Sequence, residues 1–566
     1  MGADFRAGQT WKQSLSRHFV IAVSVGNIAA YFVTSFLFNF HPQDFEFIII
    51  SPTSLIACGV IALGLFDESF DVRPNSATTA TLFLASLLSI SAIVIALQFP
   101  GLFDPRILFM ESGRFWFFVF LALIADAALF FVSKRAEIIS IIKKTRIVSH
   151  ARENLLGLYL AVGFFFVYFT FAETINFPNF RTVDLYFDFD ISEWLARFSG
   201  MSVSEIPVVR AVHPAILLFV RPLVWFVGLF LNGDRLHALF LVHAFTGAAC
   251  VFMIWLIAKS ISNNDFFSLF IASLLGTSAS HLLLGSMIET YIYSAFGLIL
   301  FAFLIQSGRT SLRPAVSVAV LTAGVTVSNL AQTFLLFASS RPPFKRILSF
   351  ASLTLILVLG LNFIQQRIYS ASSSLTSSSS VRWEESYLHQ IDFHSWKWLG
   401  RVNLTARAVS LYSIVAPAPF ILDKELGWEG IPHFRTYKIT VGQFHVAGYS
   451  GLADLTAKFW FILLLSALGV FVYRFIKSPA SHLIPFALLL CIGFNFIFHT
   501  LYGDDPMLYS PDWVYALVLF IAYAIHPWAD RKWLHFALIV FLGLTMATNL
   551  NLIRLIMQVS APVYGQ

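Results

Sequence analysis

The stretch Phe115-Trp-Phe-Phe-Val-Phe-Leu-Ala-Leu-Ile-Ala-Asp126-Ala-Ala-Leu-Phe-Phe-Val-Ser-Lys134-Arg135 decides the fold class. Between Phe115 and Ser133 only Asp126 can ionise, and the run closes on two basic residues. That length approaches the ~20 residues a helix needs to cross ~30 Å of hydrocarbon, and the basic end reads as a topology signal. Comparable runs fall at about 19–40, 47–65, 78–98 and 154–175, then 236–258, 266–284, 288–305, 347–364, 459–476, 480–500, 512–528 and 533–553. The apolar stretch 314–340 is too long for one crossing and holds Gly324, Ser328, Asn329 and Gln332 near its middle. It predicts two short helices that dip in and turn back, with their non-helical join buried in protein. The expectation is an all-α polytopic membrane protein of about fifteen passes.

Composition agrees. Of 566 residues, 58% are hydrophobic and only 12% charged, which excludes a soluble globular protein. Cys58, Cys250 and Cys491 lie inside apolar runs, where a free Cys acts as a small hydrophobe, so neither a disulfide nor a metal site is expected from them. The net charge of +6 reads as topology rather than nucleic-acid binding, because the basic residues fall where a positive-inside chain needs them. With Arg6, Lys12 and Arg17 cytoplasmic, alternating passes put Lys134, Arg135, Lys143, Lys144, Arg146 and Arg152 inside. Arg309, Arg313, Arg341, Lys345, Arg346, Arg474, Lys477, Arg531 and Lys532 follow them. The loop 66–77, with Asp67, Glu68 and Asp71 beside Arg73, dissents, but acids contribute little to the rule. No cleavable signal peptide is expected, because the first apolar run lacks a small-residue cleavage site and is long enough to span. The organisation expected is a four-span accessory module at 1–133, a basic cytoplasmic loop at 134–153, a core at 154–364 with an outer loop at 176–235, a large outer loop at 365–458, and C-terminal spans at 459–566.

No P-loop, GxGxxG, HExxH, CxxC or GxSxG constellation stands out. The chemical signal lies after the fifth span, in Thr182-Val-Asp184-Leu-Tyr-Phe-Asp188-Phe-Asp190-Ile-Ser-Glu193-Trp194. Asp184, Asp188 and Asp190 precede a short amphipathic helix with Ile191, Trp194, Leu195 and Phe198 on one face. Neighbouring negative charge and partial desolvation raise a carboxyl pKa and suit it to general-base work. The competing reading is structural: Asp190 as N-cap and Glu193 closing a capping box. Glu289 at the outer end of a span, in Glu289-Thr-Tyr291, is a candidate or a plain turn residue. His213-Pro214 opens an apolar run containing Arg221, and Tyr502-Gly-Asp504-Asp505-Pro-Met-Leu-Tyr509-Ser-Pro-Asp512-Trp513 groups acids with aromatics. Asp126, inside its span, is expected to meet a polar group of another helix. Segment 365–458 opens with SASSSLTSSSS (370–380), read as mobile, and continues with Arg382, Trp383, Glu384, Glu385, His394, Trp396, Trp398, His433 and His445.

In order and spacing, Asp190-Ile-Ser-Glu193-Trp194, His213-Pro214, Asp234-Arg235-Leu-His-Ala-Leu-Phe240, Ile257-Ala-Lys259 and Glu289-Thr-Tyr291 resemble the GT-C membrane glycosyltransferases, in the branch of the protein O-mannosyltransferases and aminoarabinose transferases. The likeness covers about 154–340 and more vaguely 341–553. Two departures stand out: the family's adjacent Asp-Glu pair is spread over Asp188, Asp190 and Glu193, and the second Pro of its HPP is Ala215. Residues 1–133 have no counterpart.

The resemblance implies an inverting transfer of a sugar from a polyprenyl-phosphate donor to a glycan, lipid or protein hydroxyl on the outer face. Asp190, Asp188 or Glu193 would act as base, while Asp184, His213, Glu289, Tyr291 and Tyr509 bind substrate. Arg210, Arg221, Arg235 or Arg382 would steady the leaving phosphate. Asp184, Asp188 and Asp190 would offer oxygen ligands if a divalent cation, Mg or Mn, takes part. An O-antigen ligase or polymerase would instead use outer-loop residues such as Arg382, His394, Arg401, Arg407, His433 and His445. A glycolipid transporter would show internal repeats, and none is visible. Asn403-Leu-Thr405 would be a glycosylation sequon only in a eukaryotic lumen; a bacterial inner membrane is the expected setting.

Overall fold

The computed structural model describes residues 2–66, 76–135, 145–177, 182–200, 206–428 and 430–564. The acidic loop residues Asp67, Glu68 and Asp71, and Lys143 and Lys144 of the basic loop, lie outside them. Among the described residues helix dominates, and ten helices are long and apolar enough to cross a bilayer. The chain is a polytopic, predominantly helical membrane protein. Large apolar side chains such as Phe83, Trp116, Leu123 and Phe131 stand exposed on these helices, as lipid-facing surfaces require.

Two compact units are present. One comprises 1–82, 103–159 and 228–234, the other 83–102, 160–227 and 235–566. The first holds α1 (Gly2–Phe38), α2 (Asp44–Leu65), the opening of α3 (Ser76–Leu97), α4 (Ser112–Arg135), α5 (Arg146–Glu153) and the start of α6 (Leu155–Ile175). Small residues let α1 and α2 touch: a Cβ on Gly26 would come within 2.9 Å of Gly59 Cα. Ala22, Val23, Ala62, Leu63, Leu129 and Leu155 form one core cluster there. Asp126 meets the polar group expected of it, accepting from Asn27 Nδ2 at 2.9 Å.

The second unit contains the rest of α6, then α7 (Ile191–Ser199), α8 (Ile216–Leu229), α9 (Arg235–Ser262), α10 (Asp265–Thr277), α11 (Ala279–Leu284), α12 (Tyr291–Gln306), α13 (Leu312–Val325), α14 (Leu330–Ser339) and α15 (Phe344–Ile368). The single span expected at 266–284 is broken at Ser278, whose Oγ caps α11 by accepting from His281 N. Asn549 bridges that break, its Nδ2 donating to the Thr277 and Ile414 carbonyls at 2.8 and 2.7 Å. Helix α8 has 14 residues, ~21 Å at 1.5 Å per residue, too short to cross.

The stretch 314–340 forms two short helices, α13 and α14, around a break at 326–329. The break is anchored: Val327 N donates to Val212 O (3.0 Å) and Ala215 N to Gly324 O (2.7 Å). Its polar residues are satisfied internally, since Asn329 Nδ2 donates to Asp512 Oδ1 at 2.9 Å and Gln332 Nε2 to Asn329 Oδ1 at 2.7 Å.

The outer segment contains α16 (Ser378–Glu385), α17 (Trp396–Arg407) and two hairpins, β1 (Ile421–Trp428) with β2 (Ile431–Arg435) and β3 (Tyr437–Thr440) with β4 (Gln443–Val446). These strands are the departure from an all-α chain. The serine run is an ordered connection rather than a mobile one. Val209 N donates to Ala371 O, Ser373 N to Val209 O, and Leu375 N to Asn362 Oδ1. The chain closes with α18 (Gly451–Lys477), α19 (Leu483–Leu501), α20 (Pro511–Ile525) and α21 (Lys532–Tyr564). Helix α20 is buried on nearly every side, which its predominantly apolar sequence permits.

Candidate active site

The acidic loop 182–190 is a tight reversal. Val183 bridges Asp190, and Asp184 N donates to Phe189 O at 3.0 Å. Asp184, Phe187 and Asp188 all hold positive φ (61°, 54° and 62°). Asp tolerates that region; Phe adopts it only when its surroundings impose it. The imposition comes from β2, where Phe187 N donates to Phe434 O and Phe434 N to Leu185 O, each at 2.8 Å.

This fold sends the expected carboxylates in different directions. Asp188 turns inward: Oδ1 is 3.0 Å from Arg435 Nη2 and Oδ2 accepts from Asp505 N at 2.8 Å. Asp505 is also buried, accepting from Thr436 N, Thr436 Oγ1 and Met507 N. Burial pushes the Asp188 carboxyl up to about 8, Arg435 opposing and Asp505 adding to the push. Asp184 is exposed. Glu193 pairs with Arg197 one turn on, and Asp190 makes no side-chain cap bond, so the capping box does not form. Asp184, Asp188 and Asp190 do not converge, and no group of three His, Cys, Asp or Glu able to hold a cation occurs among the described residues.

Asp190 is different. It stands at the N-terminus of α7, partly exposed, with its backbone N–H donating to Glu289 Oε1 at 2.6 Å. Glu289 is 2% exposed, and its Oε2 accepts from Thr290 N at 3.0 Å. Burial pushes the Asp190 carboxyl up to about 7, with Glu193 and Asp184 adding and Arg197 and Arg210 opposing. Burial likewise raises Glu289 to about 8, the Asp190 charge adding to it. Burial and mutual repulsion thus hold both carboxyls above the ordinary carboxylate range.

Arg210 completes this corner. Its Nε and Nη2 grip Glu384 of α16, Nη2 also donates to Tyr502 Oη at 2.7 Å, and Tyr387 lies under the guanidinium at 4.1 Å. Nη1 makes no hydrogen bond among the described residues. His213 Nδ1 donates to Val325 O at 2.7 Å, which leaves Nε2 as the lone-pair nitrogen, and burial drives its pKa down to about 3. An aromatic chain runs on from it: Trp194 edge-on at 5.2 Å, Tyr291 at 6.5 Å, then Tyr509 5.3 Å from Tyr291, and His499 stacked on Tyr509 at 4.4 Å.

Of the expected residues, Asp190, Arg210, His213, Glu289, Tyr291 and Tyr509 come together. Arg235 does not; it packs on Trp225. Arg382 is exposed on α16, and Lys259 pairs with Asp265 at the other end of α9 from Arg235. Arg401, one of the outer-loop candidates for a ligase, is occupied, since it donates to the carbonyls of His499, Tyr502, Gly503 and Asp504 and caps α19. Glu384 and Tyr502 stood within charged or aromatic stretches but without a role. Arg435 and Thr436 carried no signal at all. Comparison with protein-family models, curated proteins and solved structures finds no match for this chain.

Proposed function

We propose that the protein is an inverting membrane glycosyltransferase of GT-C type. It moves a sugar from a polyprenyl-phosphate donor to an acceptor hydroxyl, with Asp190 as general base, on the periplasmic face of a bacterial inner membrane. The carrying observation is that Asp190, alone among the clustered carboxylates, keeps its side chain unengaged and partly open beside the buried Glu289 and the Arg210 guanidinium.

The chemistry then needs few parts. The acceptor oxygen attacks the anomeric carbon as the bond to the phosphate oxygen breaks. The hydroxyl proton passes to the Asp190 carboxylate, and the electron pair leaves on the phosphate. The charge that develops there is met by a cation, and Arg210 Nη1 is free to supply it. Neutral His213 and the rings of Tyr291 and Tyr509 form an aromatic wall suited to a sugar face. Beneath them, Val325 and Tyr293 line an apolar groove of about 710 Å³ that suits an isoprenoid chain.

Mass spectrometry of envelope glycans from a deletion strain tests the reading. Loss of one sugar substituent, with accumulation of its lipid-phosphate donor, is expected. An unchanged glycan profile counts against it.

A further inference from the structure

The first compact unit holds a carboxyl group that the transferase reading does not use. Asp126 lies 14 residues beyond Ser112, the first residue of α4, or ~21 Å along the helix, between the lipid-facing Leu123 and Phe130. Its Oδ2 accepts from Asn27 Nδ2 of α1, while its Oδ1 is buried with no hydrogen-bond partner among the described residues. The described charged or ionisable groups His18 of α1, Asp44 and Glu46 of α2 and Arg114 of α4 stand at the ends of the spans, so none of them meets Asp126 as a counter-ion. An uncompensated ionisable group held at that depth is costly and marks a proton or ion pathway.

A polar track leads to it. Tyr31 and Thr34 follow Asn27 at i+4 and i+7, and Phe38 at i+11, on one face of α1. Tyr31 Oη accepts from Met110 N at 3.1 Å, and Thr34 is fully buried with an unpartnered Oγ1. Ser51 of α2 is likewise fully buried with an unpartnered Oγ. Its neighbours at i−4 and i+4, Phe47 and Leu55, share one core cluster with Ala30 of α1 and with Ala122 and Ala125 of α4. Tyr31 and Cys58 are the titratable side chains packed on that cluster among the described residues. The hydroxyls of Thr34 and Ser51 therefore lie between the three helices that surround Asp126. Where α1 stops and α4 begins, the track ends in a pocket of about 230 Å³ lined by Phe38, Asn39, Glu111, Arg114 and Ser35. Ser35 is 3% exposed and its Oγ has no partner, whereas the Glu111 side chain is 69% exposed and opens the pocket to water.

We propose that Asp126 is a proton-binding site, reached from this pocket by way of Ser35, Thr34 and Tyr31. Each hydroxyl can donate and accept at once, which is what handing on a proton requires. Asp126 Oδ1 takes up H+ as an O–H bond and returns it as that bond breaks, with no electron transferred. A metal cation would need several oxygens converging on one point, whereas these are strung along α1 from Asn27 to Phe38, over ~16 Å. The inference stands on the first unit alone and goes beyond the transferase reading.

The test uses the full chain in phosphatidylcholine vesicles and reads the C=O band of protonated carboxyls by infrared difference spectroscopy, as pH is stepped and H2O is replaced by D2O. Wild type is expected to show a band that grows as pH falls, shifts on deuteration and is missing from D126N, whose amide oxygen can still accept from Asn27. D126E is expected to displace that band, which assigns it even if D126N does not assemble. T34V and S35A, which remove one hydroxyl each at nearly constant volume, are expected to keep the band and to slow its deuteration at least about tenfold. Identical spectra from wild type, D126N and D126E overturn the site. A band that neither titrates nor exchanges makes Asp126 a fixed structural acid and overturns it as well. Wild-type exchange in both T34V and S35A overturns the route. A band moved by sodium chloride at constant pH assigns the site to a metal cation and overturns the proton. Glycosyl transfer enters none of these outcomes, so the failure of either reading leaves the other standing.

Discussion

The backbone amide of Asp190 donates to the carboxyl of Glu289 at 2.6 Å, across 99 residues of sequence. One buried acid thereby fixes the position of another without using its side chain. Glu289, held also by Thr290 N, is the anchor; Asp190, at the helix N-terminus, is left with no side-chain cap bond.

This arrangement sets a pH dependence. A general base works as its ionised form, and burial has raised Asp190 to about 7. Transfer should therefore rise through pH 6–8 with an acid limb near 7, falling about tenfold per unit below it. Initial rates across that range check it. A limb near pH 4 would mean that an ordinary, solvated carboxylate is the base.

Arg210 is held in place by Glu384 and Tyr502. Glu384→Gln keeps the shape but loosens the grip, and Arg210→Lys removes the fork. Losses in kcat of about 10-fold and about 100-fold respectively are expected, with folding unchanged. Single-turnover kinetics on both variants, beside melting curves, separate chemistry from stability.

Asp188 has a structural task, tying the acidic loop to Arg435 and Asp505. Arg435→Gln should cost about 3–5 kcal/mol where Asp188 is ionised, because that buried carboxylate then loses its ion-pair partner. Asp188→Asn should cost less, since the amide oxygen still accepts from Asp505 N. The folded-state pKa of Asp188 lies above its ordinary value. The native state therefore binds more protons than the unfolded one between about pH 4 and 8, so this contribution to stability is lost as pH rises through that window. Thermal melts of detergent-purified protein should show the loss in wild type and a flatter profile in Asp188→Asn.

Much of the scaffold was legible because lipid-facing helices must be apolar on their outer surface, and hydropathy registers that directly. The break in 314–340 was visible for the same reason: Asn329 and Gln332 could not face lipid and needed an internal partner, which proved to be Asp512. The serine run deceived because its order comes from backbone bonds to Val209, which composition does not record. Asp188 and Asp190 look alike in sequence. They part only through three positive-φ residues and a hairpin some 245 positions away, where Phe434 and Arg435 bind the loop. Long-range pairing of this kind leaves no local pattern.

The most direct test is transfer of radiolabel from a polyprenyl-phosphate sugar by purified wild-type, Asp190→Asn and Asp188→Asn proteins. Asp190→Asn should fold as wild type and transfer about 100-fold or more slowly, with Asp188→Asn retaining turnover in whatever fraction stays folded. Wild-type rates from a folded Asp190→Asn protein would contradict the account.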